Sequence, residues 1–466
     1  MTADREAPGP ARDASLQRAL GRLYERVPLG MRLGLGPMAQ ACARFGHPER
    51  AFEAVHVAGT NGKGSACAMV EGALRAGGRR VGLYTSPHLC RVGERIRVDG
   101  VPIDDAALAE LLERVLDGAP DLSFFETLTL AAFVAFREAK VDVGVVEVGL
   151  GGRLDATNVL ERPRATAITR IALDHVDRLG PTLVDIAREK AGIAKTGVPM
   201  FLGPMTGEVR AAIDEVAAAR GATTVDAADP ATMAVASRAE LALAGAHQIV
   251  NAAIAVRLAK ALGIAEAAIA RGLHDTRWPG RLERIERPEG PYLLDAAHNP
   301  DGIEALARHL ADHPAEGRTL VFGALGDKAW TSMIDRLAPL FPAGRVYVAP
   351  PGYHMLVEDD RTVALSTEAA VRFSRPSIDV MFESAAWLYR ERMLAILLSG
   401  ANEDGVRGLE TVRAAGGAAW VQAPETALSP EMPRAAIQRG AVDEILSPST
   451  MARRLARLTA FTEHES

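Results

Sequence analysis

The chain contains little of what marks a secreted, membrane-spanning or nucleic-acid-binding protein. Its 466 residues include three cysteines, Cys42, Cys67 and Cys90, an odd number without metal-ligand spacing, which fits a reducing compartment. No apolar run is long enough to span a bilayer, and the acidic residues that follow Met1 do not fit a signal peptide. A formal net charge of -6 provides no overall basic surface. We therefore expect a cytoplasmic protein with no membrane partner and no nucleic-acid partner.

Internal repeats and low-complexity linkers are lacking too, so the domain organisation has to come from the apolar pattern. Hydrophobic residues make up 48% of the chain and charged residues 24%, which is typical of a globular protein. Residues 1–15 are polar and rich in Pro and Ala, and we expect a flexible tail there. From Ala54 onward, short β-like runs alternate with helical patterns. This alternation predicts an α/β fold with a doubly wound, mostly parallel sheet.

The same pattern predicts individual elements. The clearest strands are expected at residues 80–84, 141–148 and 165–171. After Arg220, a segment of small residues indicates an irregular hairpin, and a helix follows from His247 to Leu262. A second unit is expected to start near Pro279. Its strands are predicted at residues 292–295 and 319–322.

The stretch 55–65, VHVAGTNGKGS, places an apolar run before a glycine-rich turn and the start of a helix. Glycines let backbone N–H groups approach phosphate oxygens, the helix N-terminus adds positive partial charge, and Lys63 can reach the outer phosphates. The spacing is shorter than in the common Gly-x4-Gly-Lys-[Ser/Thr] loop. A simple glycine turn has no need of this lysine at a helix start, so the pattern favours a phosphate loop. The residues expected to hold a nucleotide are Gly59, Thr60, Asn61, Gly62, Lys63, Gly64 and Ser65.

Other polar residues lie near the ends of expected strands, where open α/β sheets bind ligands. Glu147 lies near the end of an apolar strand and needs a cation, which is either Mg²⁺ or an arginine such as Arg153. His175 follows the next strand and is either a second cation contact or a hydrogen-bonded loop residue. Lys190 is expected on a helix, where a solvated lysine is the ordinary interpretation.

A further strand runs into the polar turn 295–300, where Asp295 and His298 are expected to face a nucleotide held by the first unit.

Each of these signals is weak alone, but their order along the chain is specific. With these motifs, residues 20–345 resemble the folylpolyglutamate synthase/dihydrofolate synthase family, a branch of the Mur-type ATP-dependent amide ligases. The motifs are HVAGTNGKGS (56–65), YTSPHL (84–89), GERI (93–96), FFETLT (124–129), EVGLGGRLDATN (147–158), LDH (173–175), REKAGI (188–193), HQ with Asn251, WPGR (278–281) and DAAHNP (295–300). One departure is Ala296, where the family usually has Gly.

This resemblance implies a reaction in which ATP phosphorylates a substrate carboxylate and the amino group of L-glutamate attacks the acyl phosphate. Phosphoryl transfer depends on positioning and charge neutralisation more than on covalent help from the protein, which agrees with the residues present. A folate-type substrate is expected near residues 86–95 and 124–127.

The resemblance implies catalytic roles for Lys63, Glu147, His175 and Lys190, the last being the lysine that family members carbamylate. It implies Mg²⁺ contacts from Ser86, Glu147 and His175, and nucleotide contacts from Asn251, Arg281, Asp295 and His298.

From about Val346 onward, the chain instead resembles the C-terminal half of the chemotaxis protein-glutamate methylesterase catalytic domain. The motifs are VYVAP (346–350), RPSIDVMF (375–382), LLSGANEDG (397–405), QA (422–423), MPRAA (432–436) and GAVDEIL (440–446). That family uses a serine, a histidine and an aspartate, and Asp404 matches the aspartate. The serine and the histidine belong to the half that is missing, His354 is not at the family's histidine position, and Ala401 replaces a methionine. Methylesterase activity is therefore the alternative function, and we expect it to be absent.

The predicted organisation follows the two resemblances. It consists of a flexible tail (1–15), a phosphate-loop, doubly wound Mur-ligase-type domain (16–278), a truncated Rossmann-like second ligase domain (279–345) and a methylesterase-like α/β segment (346–466). Loss of the last ligase strands would leave an open sheet edge. The segment either completes that sheet or forms a separate half-domain. We expect the protein to be a monomer.

Overall fold

A computed structural model gives the fold of the chain in two compact units. It describes residues 10–26, 34–286, 291–314, 320, 330–341, 354–358, 363–366, 371, 377–400, 402–427 and 429–460. The first unit contains the described residues of Met1–Pro314 and Ala329–Leu340, and the second contains those of Ala315–Lys328 and Phe341–Ser466. Of the predicted strand 319–322 the structure describes only residue 320, and the motif 346–350 lies outside the described residues. The predicted domain boundaries after residues 278 and 345 stay predictions.

The first unit alternates strands and helices as the apolar pattern predicts. Its strands are β1 Glu53–Ala58, β2 Val81–Tyr84, β3 Ile96–Val98, β4 Val101–Pro102, β5 Val143–Glu147, β6 Ala165–Ile168, β7 Pro199–Leu202, β8 Thr223–Asp226, β9 Glu283–Ile285 and β10 Tyr292–Leu294. Its helices are α1 Pro10–Tyr24, α2 Gly36–Arg44, α3 Lys63–Ala76, α4 Asp105–Gly118, α5 Phe124–Glu138, α6 Val176–Leu179, α7 Leu183–Ala191, α8 Gly207–Ala219, α9 Pro230–Arg238, α10 His247–Ala261, α11 Glu266–Asp275, α12 Pro300–Asp312 and α13 Trp330–Leu337.

Eight strands form one sheet in the order β4-β3-β2-β5-β1-β6-β7-β8. From β2 to β8 all neighbours pair in parallel, and β3 and β4 add an antiparallel edge. Strand β1 lies between β5 and β6, with Val57 opposite Glu147 in one neighbour and Ala167 in the other. The carboxyl ends of the central strands therefore meet at one edge, which is where a doubly wound sheet binds its ligands.

The sheet is covered on both faces because its central strands are mostly apolar. All five residues of β5 are buried, as a strand between two helical layers requires. Side chains alternate between the two faces: Val55 and Val57 of β1 pack with Met69 of α3, whereas Ala54 packs in a cluster with Phe133 of α5. This is the predicted doubly wound α/β architecture.

One expectation about the first unit is wrong. The segment after Arg220 is not an irregular hairpin, because β8 pairs in parallel with β7 and is followed by α9. Helix α9 begins where Asp229 accepts a hydrogen bond from the N–H of Thr232 and Pro230 takes the first helical position. Helix α1 begins at Pro10, and the expected flexible tail at residues 1–15 stays a prediction.

After α11 the first unit continues with a short hairpin and two helices. Strands β9 and β10 pair antiparallel, and α12 packs against α13. The β10 side chains Tyr292, Leu293 and Leu294 are all exposed. Within the described residues, no helix combines the length and the apolar character that crossing a membrane requires.

The second unit is a smaller α/β arrangement. Its elements are β11 His354–Val357, β12 Val363–Ser366, α14 Ile378–Tyr389, β13 Leu394–Leu397, α15 Val406–Ala414, β14 Ala418–Gln422, α16 Glu431–Gln438, β15 Glu444–Leu446 and α17 Pro448–Ala460. Strands β13, β14 and β15 form a parallel three-stranded sheet of their own, and β11 pairs antiparallel with β12. The predicted strands 395–398 and 419–422 are confirmed within one residue.

Candidate active site

The loop between β1 and α3 has a backbone that requires glycine at two positions. Gly59 and Gly62 have φ values of +147° and +89°. A Cβ atom at Gly62 would lie 2.3 Å from Oδ1 of Asn251, and one at Gly59 would lie 1.9 Å from Oγ1 of Thr169. The predicted nucleotide residue Asn251 therefore lies directly against the loop. It donates through Nδ2 to Oε1 of Gln248 over 2.9 Å.

The segment that follows β6 holds this loop from the other side. The N–H of Thr60 donates to the carbonyl of Arg170 over 2.6 Å, and the Thr169 hydroxyl donates to the carbonyl of Asn61 over 2.7 Å. The Thr60 hydroxyl accepts from the N–H of Ala172 over 3.1 Å. These bonds fix the shape of the loop from within the first unit, so the loop has its conformation before a ligand arrives.

Two lysine side chains converge on one carbonyl of the loop. Lys63 donates through Nζ to the carbonyls of Gly59 and Thr60, each over 3.0 Å. Lys190 donates through Nζ to the same Gly59 carbonyl over 2.8 Å and is only 4% exposed. Burial, reinforced by the charge of Lys63, lowers the pKa of Lys190 to about 7. The interpretation of Lys190 as a solvated surface lysine is therefore wrong.

Glu147, at the end of β5, is a buried carboxylate beside the loop. Its Oε2 accepts from the N–H of Ser86 over 3.1 Å, and a Cβ at Gly64 would lie 3.6 Å from the same oxygen. Burial raises the pKa of Glu147, while Lys63 acts in the opposite direction. The interpretation of Glu147 as the partner of Arg153 is wrong, because Arg153 pairs with Glu189 at 2.8 Å.

His175, which precedes α6, lies in a group of polar side chains around Asp174. Nε2 of His175 lies 3.8 Å from Oδ1 of Asp174, and Nε2 of His298 lies 3.8 Å from Oδ2 of Asp174. Asn299 donates through Nδ2 to the same Oδ2 over 3.1 Å. Across the part of the chain that the structure describes, no three His, Cys, Asp or Glu side chains form a metal-binding group. The metal role of His175 stays a prediction.

The turn 295–300 contacts the phosphate loop, but not through the side chains of Asp295 and His298, which were predicted to face the nucleotide. Asp295 accepts from the N–H groups of Leu282 and Ala297, each over 2.9 Å, so its carboxylate shapes the turn. His298 donates through Nδ1 to the carbonyl of Ala296 over 2.9 Å. The N–H of Ala296, the residue that departs from the family's usual Gly, donates to the carbonyl of Gly280 over 2.9 Å.

Sequence reasoning missed the residues of this turn and helix that contact the loop. Asn61 donates through Nδ2 to Oδ1 of Asn299 over 3.0 Å and to Oδ2 of Asp301 over 2.8 Å. Arg170 donates to both oxygens of Asp301 over 2.6 and 2.8 Å. The signal for Asn299 was present, because Asn directly before Pro is typical of a helix N-cap. No local pattern indicated Asp301.

The two segments expected to contact the folate-type substrate, residues 86–95 and 124–127, meet where β2 ends and α5 begins. Arg95 is buried, donates through Nε to Nδ1 of His88 over 2.9 Å, and has Cζ 5.4 Å from the centre of the Phe124 ring. Phe125 lies against Tyr84, with ring centres 6.0 Å apart. Flat aromatic rings beside a fixed guanidinium suit a flat, polar heterocycle.

Asp404, in the second unit, caps a helix. Its carboxylate accepts from the Ser377 hydroxyl over 2.6 Å and from the N–H groups of Ile378 and Asp379 over 2.8 and 3.1 Å. These three donors lie at the N-terminus of α14, where a negative charge is stabilising. The observed contacts are those of a structural carboxylate.

A parallel sheet that presents a preformed glycine-rich loop, two lysines and a buried carboxylate at one edge defines a phosphate-loop nucleotide-binding protein. A dihydrofolate synthase/folylpolyglutamate synthase of Bacillus subtilis is 39% identical over 357 residues, covering 69% of this chain and 82% of the relative. The chain therefore belongs to the folylpolyglutamate synthase/dihydrofolate synthase family. The first resemblance is confirmed.

Solved structures agree with this assignment. Escherichia coli FolC in complex with DHPP and ADP has a TM-score of 0.63 and 33% identity, covering 70% of this chain and 81% of that one. A bifunctional folylpolyglutamate synthase/dihydrofolate synthase from Yersinia pestis, complexed with AMPPNP and Mn ion, has a TM-score of 0.61 and 32% identity, covering 72% and 83%. A family model described as CheB methylesterase matches residues 337–455, which confirms the second resemblance.

Proposed function

We propose that this protein is an ATP-dependent ligase that joins L-glutamate to a folate-type carboxylate, dihydropteroate or tetrahydrofolate, through an acyl phosphate. Family membership supports the reaction class, and the related structures contain ADP or an ATP analogue. The observation that carries the proposal is the convergence of Lys63 and Lys190 on the carbonyl of Gly59, beside the buried Glu147. The cytoplasmic location and the monomeric state are part of the same proposal.

The residues at the loop fit a magnesium ion bound together with a nucleotide. Glu147 is a buried carboxylate that forms no ion pair within the described part of the chain, and its pKa is raised by burial. A cation beside it would remove that cost. Mg²⁺ bound with a nucleotide usually takes one or two carboxylates from the protein and fills its other positions with phosphate oxygens and water. Glu147 together with the Ser86 hydroxyl is therefore a sufficient protein contribution. His175 is a further predicted contact. When bound, the ion supplies positive charge to the phosphate oxygens.

The protein's own groups then have separable tasks. The loop N–H groups and Lys63 hold the phosphates of ATP while a substrate carboxylate oxygen attacks the γ-phosphorus and ADP leaves. The amino group of glutamate next attacks the acyl carbon, and inorganic phosphate leaves as the amide forms. Lys190, with a pKa near 7, has a substantial neutral fraction at physiological pH. A neutral amine is the form that carbamylation requires, so Lys190 is the proposed site of that modification.

Product analysis tests this proposal. Purified full-length chain is incubated with ATP, Mg²⁺, labelled L-glutamate and either dihydropteroate or a tetrahydrofolate. We expect label in an amide product with at least one of the two acceptors, and the comparison assigns first or later glutamate addition. Absence of labelled product with both acceptors contradicts the proposal.

Methylesterase activity is the second candidate, favoured only by the match over residues 337–455. The described contacts of Asp404 speak against it, because its carboxylate is engaged by Ser377 and the N-terminus of α14. We expect no methanol release from a methylated receptor substrate. We also expect Asp404→Ala to destabilise the second unit by about 1 kcal/mol through loss of the cap. Methanol release that disappears in Asp404→Ala would reverse this assignment, and a melting curve of the same variant checks the structural role.

A further inference from the structure

The side-chain amides of Asn61 and Asn299 form a reciprocal pair between the phosphate loop and the start of α12. Asn61 donates to Asn299 over 3.0 Å, and Asn299 donates back over 2.9 Å. Asn299 is only 2% exposed and also accepts from the N–H of Gly302 as the N-cap of α12. A buried amide that satisfies both its oxygen and its nitrogen is fixed in one orientation.

Asp301 and Arg170 complete this contact from opposite sides. Asp301 accepts from Asn61 over 2.8 Å and from Nε of Arg170 over 2.6 and 2.8 Å. Charge-assisted bonds of this kind are stronger than neutral ones, and a carboxylate in the first turn of α12 also suits the helix dipole. The backbone of Arg170 in turn receives the N–H of Thr60. We call Asn61, Arg170, Asn299 and Asp301 the loop latch.

The loop latch joins three segments that are distant in sequence. Asn61 belongs to the phosphate loop, Arg170 follows β6, and Asn299 and Asp301 lie at the start of α12. Asn299 also donates to Asp174, the carboxylate next to His175. Directly before Asn299 lies the turn that carries Asp295 and His298. A displacement of α12 would therefore move the loop and this turn together.

We infer that Arg170 and Asp301 are positioning residues that hold the phosphate loop and the turn 295–300 in register before ATP binds. The inference rests on the proposed function for its effect on turnover, but its effect on the loop does not require catalysis. It explains how the turn 295–300 is kept beside the phosphate loop, even with the ligase resemblance predicted to end near residue 345. The first turn of α12, which belongs to the first unit, is fastened to the loop by its own side chains.

Asp301→Ala tests the inference against a matched control. Arg114 of α4 and Glu138 of α5 form a similar ion pair away from the loop, with two hydrogen bonds of 2.8 Å each. Glu138→Ala therefore removes a comparable ion pair. In Asp301→Ala we expect the amide of Thr60 to exchange hydrogen about tenfold faster and the KM for ATP to rise about tenfold, as removal of one member of a coupled network does. Glu138→Ala should change neither quantity.

The split between KM and kcat separates positioning from a general loss of structure. Partial unfolding lowers the fraction of active protein and hence kcat, while leaving the KM of the remaining molecules unchanged. Asp301→Asn, which keeps an oxygen for Asn61, should restore part of the affinity. Unchanged exchange at Thr60 and unchanged ATP binding in Asp301→Ala overturn the inference. If the parent chain shows no turnover, hydrogen exchange at Thr60 and equilibrium ATP binding still test the loop latch. Failure of the proposed function is therefore distinguishable from failure of this inference.

Discussion

At the scale of single residues, Glu147 is a buried carboxylate whose pKa is raised by burial, a cost that a bound cation would offset. Glu147→Gln removes the charge and keeps the shape, so we expect the Mg²⁺ concentration for half-maximal turnover to rise about tenfold or more. The fold should not be weakened, because a buried charge is removed. Glu71→Gln is the control, since Glu71 is equally buried but paired with Arg75. Equal Mg²⁺ titrations for the parent and Glu147→Gln would remove Glu147 from the metal site.

Lys190 makes a second residue-scale prediction, about pH. Its pKa is lowered to about 7 from 10.5, so between these values the unfolded chain holds a proton that the folded chain lacks. By linkage, the contribution of Lys190 to stability then rises with pH, by at most about 1.4 kcal/mol per unit. We expect Lys190→Met to be more stable than the parent below pH 7 and to lose that advantage as pH rises towards 10.5. Denaturant titrations at several pH values measure this, and a difference independent of pH would contradict it.

At the scale of elements, the loop between β1 and α3 depends on Gly62 for both conformation and space. Gly62→Ala should cost about 1–2 kcal/mol for the left-handed backbone and more for the contact with Asn251. Gly78→Ala is a matched control, because Gly78 has a φ of +82° with nothing within 4 Å of the added carbon. We expect ATP affinity to fall at least tenfold in Gly62→Ala alone, measured by calorimetry. Equal losses of stability in the two variants would show that crowding by Asn251 is unimportant.

The elements show which parts of the structure the sequence could predict. Strands β1 and β5 are mostly apolar, β1 is followed by Gly59 and β5 ends in Glu147, so both their positions and their functional ends were visible in the sequence. The strand and helix at 223–238 were not, because small residues such as Ala pack in helices, strands and turns alike. Lys190 was misjudged for a related reason. Its burial depends on where α7 lies against the loop, and a helical pattern alone does not contain that information.

At the scale of the whole molecule, the chain combines a ligase of the folylpolyglutamate synthase/dihydrofolate synthase family with a segment that matches a methylesterase model. The motifs predicted both parts because each carries several ordered signatures. The side chains that fasten α12 to the phosphate loop could not be predicted, since Asn61 and Asp301 are 240 residues apart in sequence and pair only through the fold. The predicted role of Asp295 towards the nucleotide stays a prediction.

Substrate-dependent hydrolysis of ATP by the full-length chain tests the central claim most directly. ADP release is measured with ATP and Mg²⁺ alone, with a folate-type acceptor added, and with acceptor and L-glutamate together. We expect rapid release only with both substrates, and a loss of about 100-fold or more in Lys63→Ala with an unchanged melting temperature. Lys260→Ala, which removes a lysine from a surface ion pair, should behave as the parent. ADP release that is indifferent to acceptor and glutamate, or that survives in Lys63→Ala, would contradict the account.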